Sequence, residues 1–445
     1  MRNLNTVFQS RPSIHISWPK KLDLTALSPS SRRQFSGRRR SNSKDRSFDP
    51  KVEHVSSLKT SFSIAETIRH LKERKWSLFD LQYVVLATVC LSSLWIIEAH
   101  APFIKSAAVV GYTLLLLMPA TSQFFLPSWP IWTYLLYFFS SRYIPNEVRP
   151  HIWVKVLPAL ENVLYGANLS NILSAHTHPI LDVFAWIPYG IGHFGNPAIC
   201  SILIFLFAAP KTLPVFAKSF GWLSMIGVTL ALVLPCTPPW YENMYGLAPA
   251  HYGMPGSPAG LARIDALFGV DMYTTSFSTA PVPFGAFPSL HAGDATIEAL
   301  FMIYCFPRFK GFFIFYVGWL WWATMYLSHH YAVDLVGGSL IASIIFFIAR
   351  TRYLPYQQAD KSNRWEYDFI EVGEMKKTAD EELGYGMGLL ERRGTGDSDE
   401  WSVGSSTLYS PNSPTIASGS ASPTFEDGRR SADSSCAGSA SRSRF

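Results

Sequence analysis

The sequence has few cysteines and no arrangement of them that would stabilise a small secreted or zinc-binding domain. Among its 445 residues there are five, and none of them stands in a CxxC or other paired spacing. They are Cys90, Cys200, Cys236, Cys305 and Cys436, and four of them lie within or beside apolar runs. A disulfide framework or a zinc site needs paired cysteines, so we expect small buried side chains instead.

The histidines also lack the grouping of a metal centre. His176 and His178 form a His-x-His pair, but no third ligand follows at a suitable spacing. Because a metal site needs three or four ligands, we expect a polar loop here, with no metal and no cofactor. No nucleic-acid partner is expected either.

What the sequence does contain is a series of apolar runs between two polar tails, which lower the mean hydropathy to +0.12. Residues 1–62 carry twelve Lys and Arg within the first 51 positions against three acids, which predicts a disordered basic tail. An organelle transit peptide shares this composition. Positive charge before a string of spans, however, is typical of a cytosolic segment. Residues 354–445, rich in Ser and Gly, predict a second disordered cytosolic tail that kinases can phosphorylate.

Residues 63–353 predict a membrane domain of the all-α class, a polytopic bundle of about eight transmembrane helices. An amphipathic interfacial helix over 63–77 comes first, with Ser63 and Glu66 fitting a capping box. The apolar runs cover 79–98, 102–120, 124–140, 180–209, 217–236, 290–306, 311–328 and 331–349. In the fourth run, Pro188 and Pro197 predict an interfacial first half, so that only 197–209 enters the membrane fully.

Basic residues at the ends of the spans predict the orientation of the chain. Lys72 to Lys75, Lys211 and Lys218, Arg308 with Lys310, and Arg350 with Arg352 all fall on one side, which should be cytosolic. Both termini then lie in the cytosol, whereas His291 and His330 lie on the opposite, lumenal or extracellular face.

A small group of basic residues departs from this charge pattern. Arg142, Arg149 and Lys155 fall on the non-cytosolic side, where positive charge has no use in setting topology. They could form a clamp for an anion. The alternative is that such side chains extend harmlessly into the water layer.

Two short motifs carry residues suited to phosphate chemistry. In Gly285-Ala-Phe-Pro-Ser-Leu-His291, Ser289 can cap a helix whose free N–H groups and dipole favour an anion. In His329-His330-Tyr-Ala-Val-Asp334, a carboxylate four residues after His330 can accept an imidazole N–H and orient that ring for attack on phosphorus. The position four residues after His329 holds Val333, so helical spacing selects His330. Topology places both motifs at one membrane face, where ionisable residues are functional candidates.

The two motifs resemble the paired motifs of fungal inositol phosphorylceramide synthases, the aureobasidin A resistance family. The resemblance extends upstream to Leu157-Pro-Ala-Leu-Glu161-Asn-Val-Leu-Tyr-Gly-Ala-Asn168-Leu-Ser170 and Leu181-Asp182-Val-Phe-Ala-Trp-Ile-Pro-Tyr-Gly190, and it covers roughly 75–355. It implies a core like that of the type 2 phosphatidic acid phosphatases. In that superfamily His330 matches the nucleophile, Asp334 its carboxylate partner and His291 the acid and base.

The resemblance also implies substrates and a setting. Phosphatidylinositol would donate phosphoinositol to the primary hydroxyl of ceramide, in a Golgi membrane and beside a small accessory membrane subunit. Arg142, Arg149 and Ser289 would bind the phosphate. The superfamily's third motif has Ser-Arg where this chain has Ala323 and Thr324, a loss of charge that suits a phosphodiester better than a monoester. A lumenal lipid phosphate phosphatase, and a non-catalytic transporter or scaffold, remain as alternatives.

Overall fold

The computed structural model describes residues 55–97 and 102–372. Most of both predicted tails falls outside these ranges. The described residues form helices, as the all-α prediction requires, together with three isolated β-bridges. The helices are α1 Ile64–Glu73, α2 Leu81–Ile96, α3 Pro102–Leu117, α4 Pro119–Phe125, α5 Trp129–Ser140, α6 Val156–Tyr165, α7 Leu169–Ser174, α8 Pro179–Trp186, α9 His193–Phe207, α10 Thr212–Val233, α11 Pro239–Tyr245, α12 Leu261–Phe268, α13 Tyr273–Ser278, α14 Leu290–Cys305, α15 Lys310–Tyr326 and α16 Ala332–Arg352.

Several of these helices are long and apolar enough to cross a bilayer, so the chain is a multi-pass membrane protein. Four stretches in the described residues qualify, or five if α3 and α4, which meet at a 105° bend, form one broken span. The predicted total of about eight is not reproduced. The twelve residues of α5 extend about 18 Å, less than the roughly 30 Å of a bilayer core.

The stretch expected to begin at the interface is instead one continuous helical segment, Pro179–Phe207, of 29 residues. Ile187–Gly192 forms a π-helical turn between α8 and α9. Within it the N–H of His193 donates to the carbonyl of Pro188, five residues earlier. Proline cannot donate a helical hydrogen bond, and the wider turn accommodates it without ending the helix. Pro188 therefore does not end the helix, and the first half, which was expected to be interfacial, belongs to a continuous segment that is long and apolar enough to cross a bilayer.

The capping box predicted at the start of α1 does not form its side-chain hydrogen bonds. Ser63 is the N-cap residue but makes no side-chain cap. Its own N–H donates to the Ser61 hydroxyl at 3.2 Å, so it is not free for the carboxylate of Glu66. That carboxylate lies 3.9 Å from His70 instead.

The packed region continues past the boundary at residue 353 that composition suggested. Leu354 and Tyr367 are each 1% exposed. The guanidinium of Arg364 lies 4.2 Å from the ring centre of Phe205 and donates to the carbonyl of Ser56. Apolar burial therefore fixes part of the segment after α16 to the bundle.

The centre of the bundle is α14, which packs against α9, α10, α15 and α16. Its buried face includes Ile297 and Phe301, both 0% exposed. Three chain segments meet just before its first residue. Trp153 pairs with Cys236, and Cys236 pairs with Gly285, in two parallel bridges. These bridges hold the segment that enters α14 in place.

Candidate active site

Ser289 is the N-cap residue of α14 and contacts α16 through its backbone. Its hydroxyl accepts from the N–H of Ala292 at 3.2 Å, so the predicted N-cap is confirmed. Its own N–H donates to the backbone carbonyl of Asp334 at 3.1 Å. The side chain is fully buried. The first turn of α14 is thereby tied to the first turn of α16.

Glycines allow α14 and α16 to approach this closely. A Cβ atom at Gly338 would lie 2.0 Å from the carbonyl oxygen of Ser289, and one at Gly337 would lie 2.5 Å from the ring of Phe287. Both contacts are far inside van der Waals distance. The backbone contact at Gly338 excludes any larger residue, whereas a Cβ at Gly337 would require the Phe287 ring to move. The Gly-Gly step after Asp334 thus sets the distance between the two helices that carry the site.

The two histidines singled out from the sequence are in direct contact. Nδ1 of His291 lies 3.2 Å from Nε2 of His330. Nδ1 of His330 lies 3.1 Å from the carbonyl oxygen of Ala286. A carbonyl can only accept, so Nδ1 of His330 carries the proton and Nε2 of the neutral ring keeps its lone pair. The arrangement supplies a nucleophilic nitrogen with an acidic N–H beside it.

Asp334 lies close to His330, although not in the relation that the sequence predicted. Helix α16 begins at Ala332, so His330 precedes it and the two residues do not share a helical face. Oδ2 of Asp334 accepts from the N–H of Tyr331 at 2.9 Å and lies 3.6 Å from Nδ1 of His330. The closer acceptor for that N–H is the Ala286 carbonyl. The carboxylate caps the helix and supplies negative charge near the ring.

The contacts of His329, and not its helical register, distinguish its role from that of His330. Its Nε2 lies 3.2 Å from the carbonyl oxygen of Pro258. Burial, together with the nearby His330, lowers the pKa of His329 to about 3, so this ring is neutral at physiological pH. His329 is therefore a structural neighbour of the pair.

Glu161 is a site residue that the sequence analysis quoted but gave no role. Its carboxylate accepts from the N–H groups of Ala332 and Val333, at 3.1 and 3.2 Å, and is fully buried. Burial raises the pKa of Glu161, and the backbone hydrogen bonds oppose that rise. It occupies the anion-binding end of α16. The first turn of α14 is the other helix end at the site.

A second carboxylate outside the predicted set joins three helices near the site. Oε2 of Glu242 accepts from Nδ2 of Asn168 at 2.8 Å and from the hydroxyl of Tyr331 at 2.9 Å. Asn168 also caps α7, accepting from the N–H of Asn171. Its side-chain nitrogen is thus engaged inside the protein.

An aromatic column surrounds His291. Tyr189 stacks on one face of the His291 ring at 4.4 Å between centroids and on His329 at 5.2 Å. His193 lies against His291 at 4.5 Å, and Phe277 lies against His329 at 4.9 Å. The π-helical turn and the start of α9 supply Tyr189 and His193. Sequence spacing gave no sign that they meet His291.

Asp294 lies one turn after His291 and is buried on α14, 6% exposed. Among the described residues its Oδ1 has no hydrogen-bond partner. No hydrogen bond joins it to His291.

The proposed arginine clamp is a separate cluster. The guanidinium of Arg149 donates to the carbonyls of Ser141 and Ile144, at 2.9 and 3.0 Å, and lies over the ring of Tyr252. Burial lowers the pKa of Arg149. Arg142 lies over Phe139, at 4.6 Å from its ring centre. In the described part of the chain, no hydrogen bond, ion pair or ring contact joins either arginine to the histidine pair.

Thr324 occupies the position at which the phosphatase superfamily has arginine. It is fully buried, and its hydroxyl donates to the carbonyl of Trp321 at 2.8 Å. The carbonyl of Thr324 accepts from the N–H of His329. The preceding Ala323 is also fully buried. A side chain as large as arginine at this buried position would have to displace its packed neighbours.

Comparison with known proteins agrees with these motifs. The PAP2 superfamily profile matches residues 157–348. The inositol phosphorylceramide synthase catalytic subunit of Schizosaccharomyces pombe is 51% identical over 313 residues, which cover 70% of this chain and 74% of the relative. The corresponding subunit of Saccharomyces cerevisiae is 46% identical over 327 residues, 73% of this chain and 81% of the relative. A phosphoinositol dihydroceramide synthase of Bacteroides thetaiotaomicron is 30% identical over 213 residues, 44% and 67% of the two chains. No solved structure matches significantly.

Proposed function

The chain belongs to the inositol phosphorylceramide synthases, phosphotransferases of sphingolipid synthesis, and we propose that it transfers phosphoinositol through a phosphorylated histidine. The substrates are phosphatidylinositol and ceramide, and the products are inositol phosphorylceramide and diacylglycerol. The observation that carries the mechanism is the contact between His291 Nδ1 and His330 Nε2, with the Ala286 carbonyl fixing the tautomer of His330.

In the first step, the Nε2 lone pair of His330 attacks the phosphorus of phosphatidylinositol. His291 enters this step as an imidazolium. The bond from phosphorus to the diacylglycerol oxygen breaks, and the proton on Nδ1 of His291 passes to that oxygen, which leaves the His291 ring neutral. Diacylglycerol leaves, and phosphoinositol remains bonded to His330. His291 is suited to this role because its N–H lies beside the attacking nitrogen.

In the second step, ceramide enters in the place of diacylglycerol. His291, which gave up its proton in the first step, takes the proton of the ceramide primary hydroxyl. The resulting alkoxide attacks phosphorus, the bond to His330 breaks, and inositol phosphorylceramide is released. Both histidines return to their starting protonation states.

Hydrogen-bond donors near His291 can stabilise the negative charge on the transferred phosphate group. The N-terminal N–H groups of α14 lie next to His291, and a helix N-terminus stabilises a phosphate oxygen. Ser289 contributes by holding that turn in place. Arg142 and Arg149 would need to reach the phosphate from their separate cluster, and they are proposed as clamp residues on the strength of the family motif.

The setting proposed for the reaction is a Golgi membrane with the active site facing the lumen. The segments 1–62 and 354–445 would then lie on the cytosolic side. A small accessory membrane subunit completes the proposed assembly. Positive charge at the span ends supports the orientation, and family resemblance supports the compartment and the subunit.

Purified protein with phosphatidylinositol labelled in the inositol tests the function. We expect a labelled sphingolipid that forms only when ceramide is added. Free inositol phosphate formed at the same rate without ceramide would indicate a phosphatase that uses water. Absence of turnover with a well-folded preparation would indicate a transporter or scaffold, and either result would refute the proposal.

A further inference from the structure

Among the described residues, no carboxylate is hydrogen-bonded to the ring of His291. The hydrogen bond that the structure gives the His291 ring goes to Nε2 of His330. That partner becomes bonded to phosphorus during the reaction proposed above, so the contact is lost when His291 must act next. Something else has to hold the ring between the two steps.

Stacking supplies that restraint. Tyr189 lies nearly parallel to the His291 ring, with 19° between the planes, and His193 lies on the same ring at 40°. Tyr189 is 4% exposed and lies between His291 and His329. A stacked ring keeps its plane but can still slide or turn within it, which proton transfer to two successive oxygens requires.

We infer that Tyr189, with His193, is a positioning residue that fixes the plane of the His291 ring, and that the face of Tyr189 stabilises the protonated form of that ring. This inference rests on the acid and base role proposed for His291. An aromatic face attracts a cation, and the attraction is stronger where water is excluded. Aromatic pairs also add stability beyond the area that they bury.

Four other titratable groups lie around His291. His193 faces it from α9, His330 and His329 face it from the loop before α16, and Asp294 lies on its own helix. Burial keeps His329 neutral, with a pKa of about 3. The face of Tyr189 is therefore the neutral aromatic surface that is best placed to stabilise an imidazolium at His291.

The test compares variants that keep or remove a ring. Tyr189→Phe keeps the stack, and the described structure gives the Tyr189 hydroxyl no hydrogen bond, so kcat should stay within about twofold. Tyr189→Leu should lower kcat about tenfold or more, with KM for phosphatidylinositol nearly unchanged. It should also move the alkaline limb of the pH–rate profile down by about half a unit, because protonated His291 becomes less stable.

A second pair of variants, at His193, tests the same restraint on the His291 ring from another residue. His193→Phe should retain activity, and His193→Leu should lower kcat by less than Tyr189→Leu does, because it removes the smaller of the two rings that hold the plane of His291. Phe184→Leu is the matched control, because Phe184 stacks on Trp319 and Trp322 away from the histidines. It should leave both kcat and the pH profile unchanged. Melting temperatures in detergent report folding for every variant.

The outcomes separate the inference from the function on which it rests. Equal activity of Tyr189→Phe and Tyr189→Leu would overturn the positioning role. So would a loss of activity in both leucine variants with an unmoved alkaline limb, which indicates packing alone. If His291→Ala itself retained turnover, the proposed acid and base role would fail first, whatever the Tyr189 variants showed.

Discussion

Nε2 of His330 faces Nδ1 of His291 at 3.2 Å, and the opposite side of the His330 ring is held by the carbonyl of Ala286. The two rings come from different motifs, 39 residues apart, at the starts of two packed helices. A backbone carbonyl, rather than a carboxylate, is the nearest acceptor for the nucleophile's N–H. This relationship makes several properties of the enzyme predictable.

His330→Ala should lower turnover by at least about a thousandfold, because it removes the atom that bonds to phosphorus. The measurement is labelled product formed from phosphatidylinositol and ceramide, with acid-labile labelled protein trapped in a rapid quench. His251→Ala, which changes an exposed loop histidine, is the control and should behave like the wild type. Substantial turnover in His330→Ala would remove it from the role of nucleophile.

Asp334→Asn should lower kcat by about ten- to a hundredfold, less than the roughly ten-thousandfold known where a carboxylate alone sets the tautomer. The reason is that the Ala286 carbonyl holds the His330 tautomer without Asp334. The asparagine oxygen can still accept from Tyr331, so the melting temperature should change little. Asp334→Ala should in addition lose the cap, at about 1 kcal/mol. A loss in Asp334→Asn as large as that in His330→Ala would contradict this division of roles.

Glu161→Ala should destabilise the start of α16, since it leaves the N–H groups of Ala332 and Val333 buried without an acceptor, at about 1–3 kcal/mol for each group. Glu161→Gln keeps one acceptor and should fall between this variant and the wild type. Melting temperature and kcat should follow the same order. Glu147→Ala, at an exposed acid, is the control. If glutamine and alanine were equivalent at this position, the capping role would be refuted.

Gly338→Ala should inactivate the enzyme, because its Cβ would lie 2.0 Å from the carbonyl of Ser289 and force α14 and α16 apart. Overpacking of this kind costs about 1–3 kcal/mol or more. Gly318→Ala is the matched control in α15, since a Cβ there meets nothing within 4 Å. That variant should melt at or above the wild-type temperature, because alanine favours helix. If the two variants had similar activity and melting temperature, the contact between α14 and α16 would not need to be this close.

His329→Gln should make the protein less sensitive to acid. The folded-state pKa of His329 is about 3, below the roughly 6.5 of the unfolded chain. The unfolded state therefore binds the proton more readily as pH falls from about 6.5 towards 3, and stability is lost over that window. Glutamine cannot titrate and can still donate to the carbonyl of Pro258. The drop in melting temperature between pH 7.5 and pH 5 should be smaller in the variant than in the wild type. An equal drop in both proteins would disprove the contribution of His329.

The part of the site that could be predicted from sequence follows local rules. Ser289 after a proline predicts a helix start, and the structure confirms that cap. Apolar runs predict helices, and the runs around 217–236, 290–306, 311–328 and 331–349 correspond to α10, α14, α15 and α16. These features depend on a few neighbouring residues and on the burial of apolar surface.

Predictions from neighbouring residues failed where the local backbone took an unexpected helical form or where a residue distant in sequence supplied the hydrogen-bond partner. Pro188 suggests a break, but a π-helical turn absorbs it. The spacing of His330 and Asp334 suggests a helical pair, but the backbone of Ala286, 44 residues away, takes the imidazole N–H. Such partners come from other segments, so neither spacing nor composition reports them.

The sequence by itself determined that this protein is a helical membrane protein and singled out His291, His330 and Asp334 as candidates for phosphate chemistry, because motif chemistry and apolar run length are local properties. The phosphotransferase function came from the resemblance to a known family. The tertiary structure alone decided which nitrogen of His330 faces the Ala286 carbonyl and which faces His291, that Glu161 occupies the end of α16, and that Tyr189 covers the face of His291. The physical reason is that hydrogen-bond acceptors and ring faces act only within a few ångströms, and only the packing of α14 against α9 and α16 brings them that close.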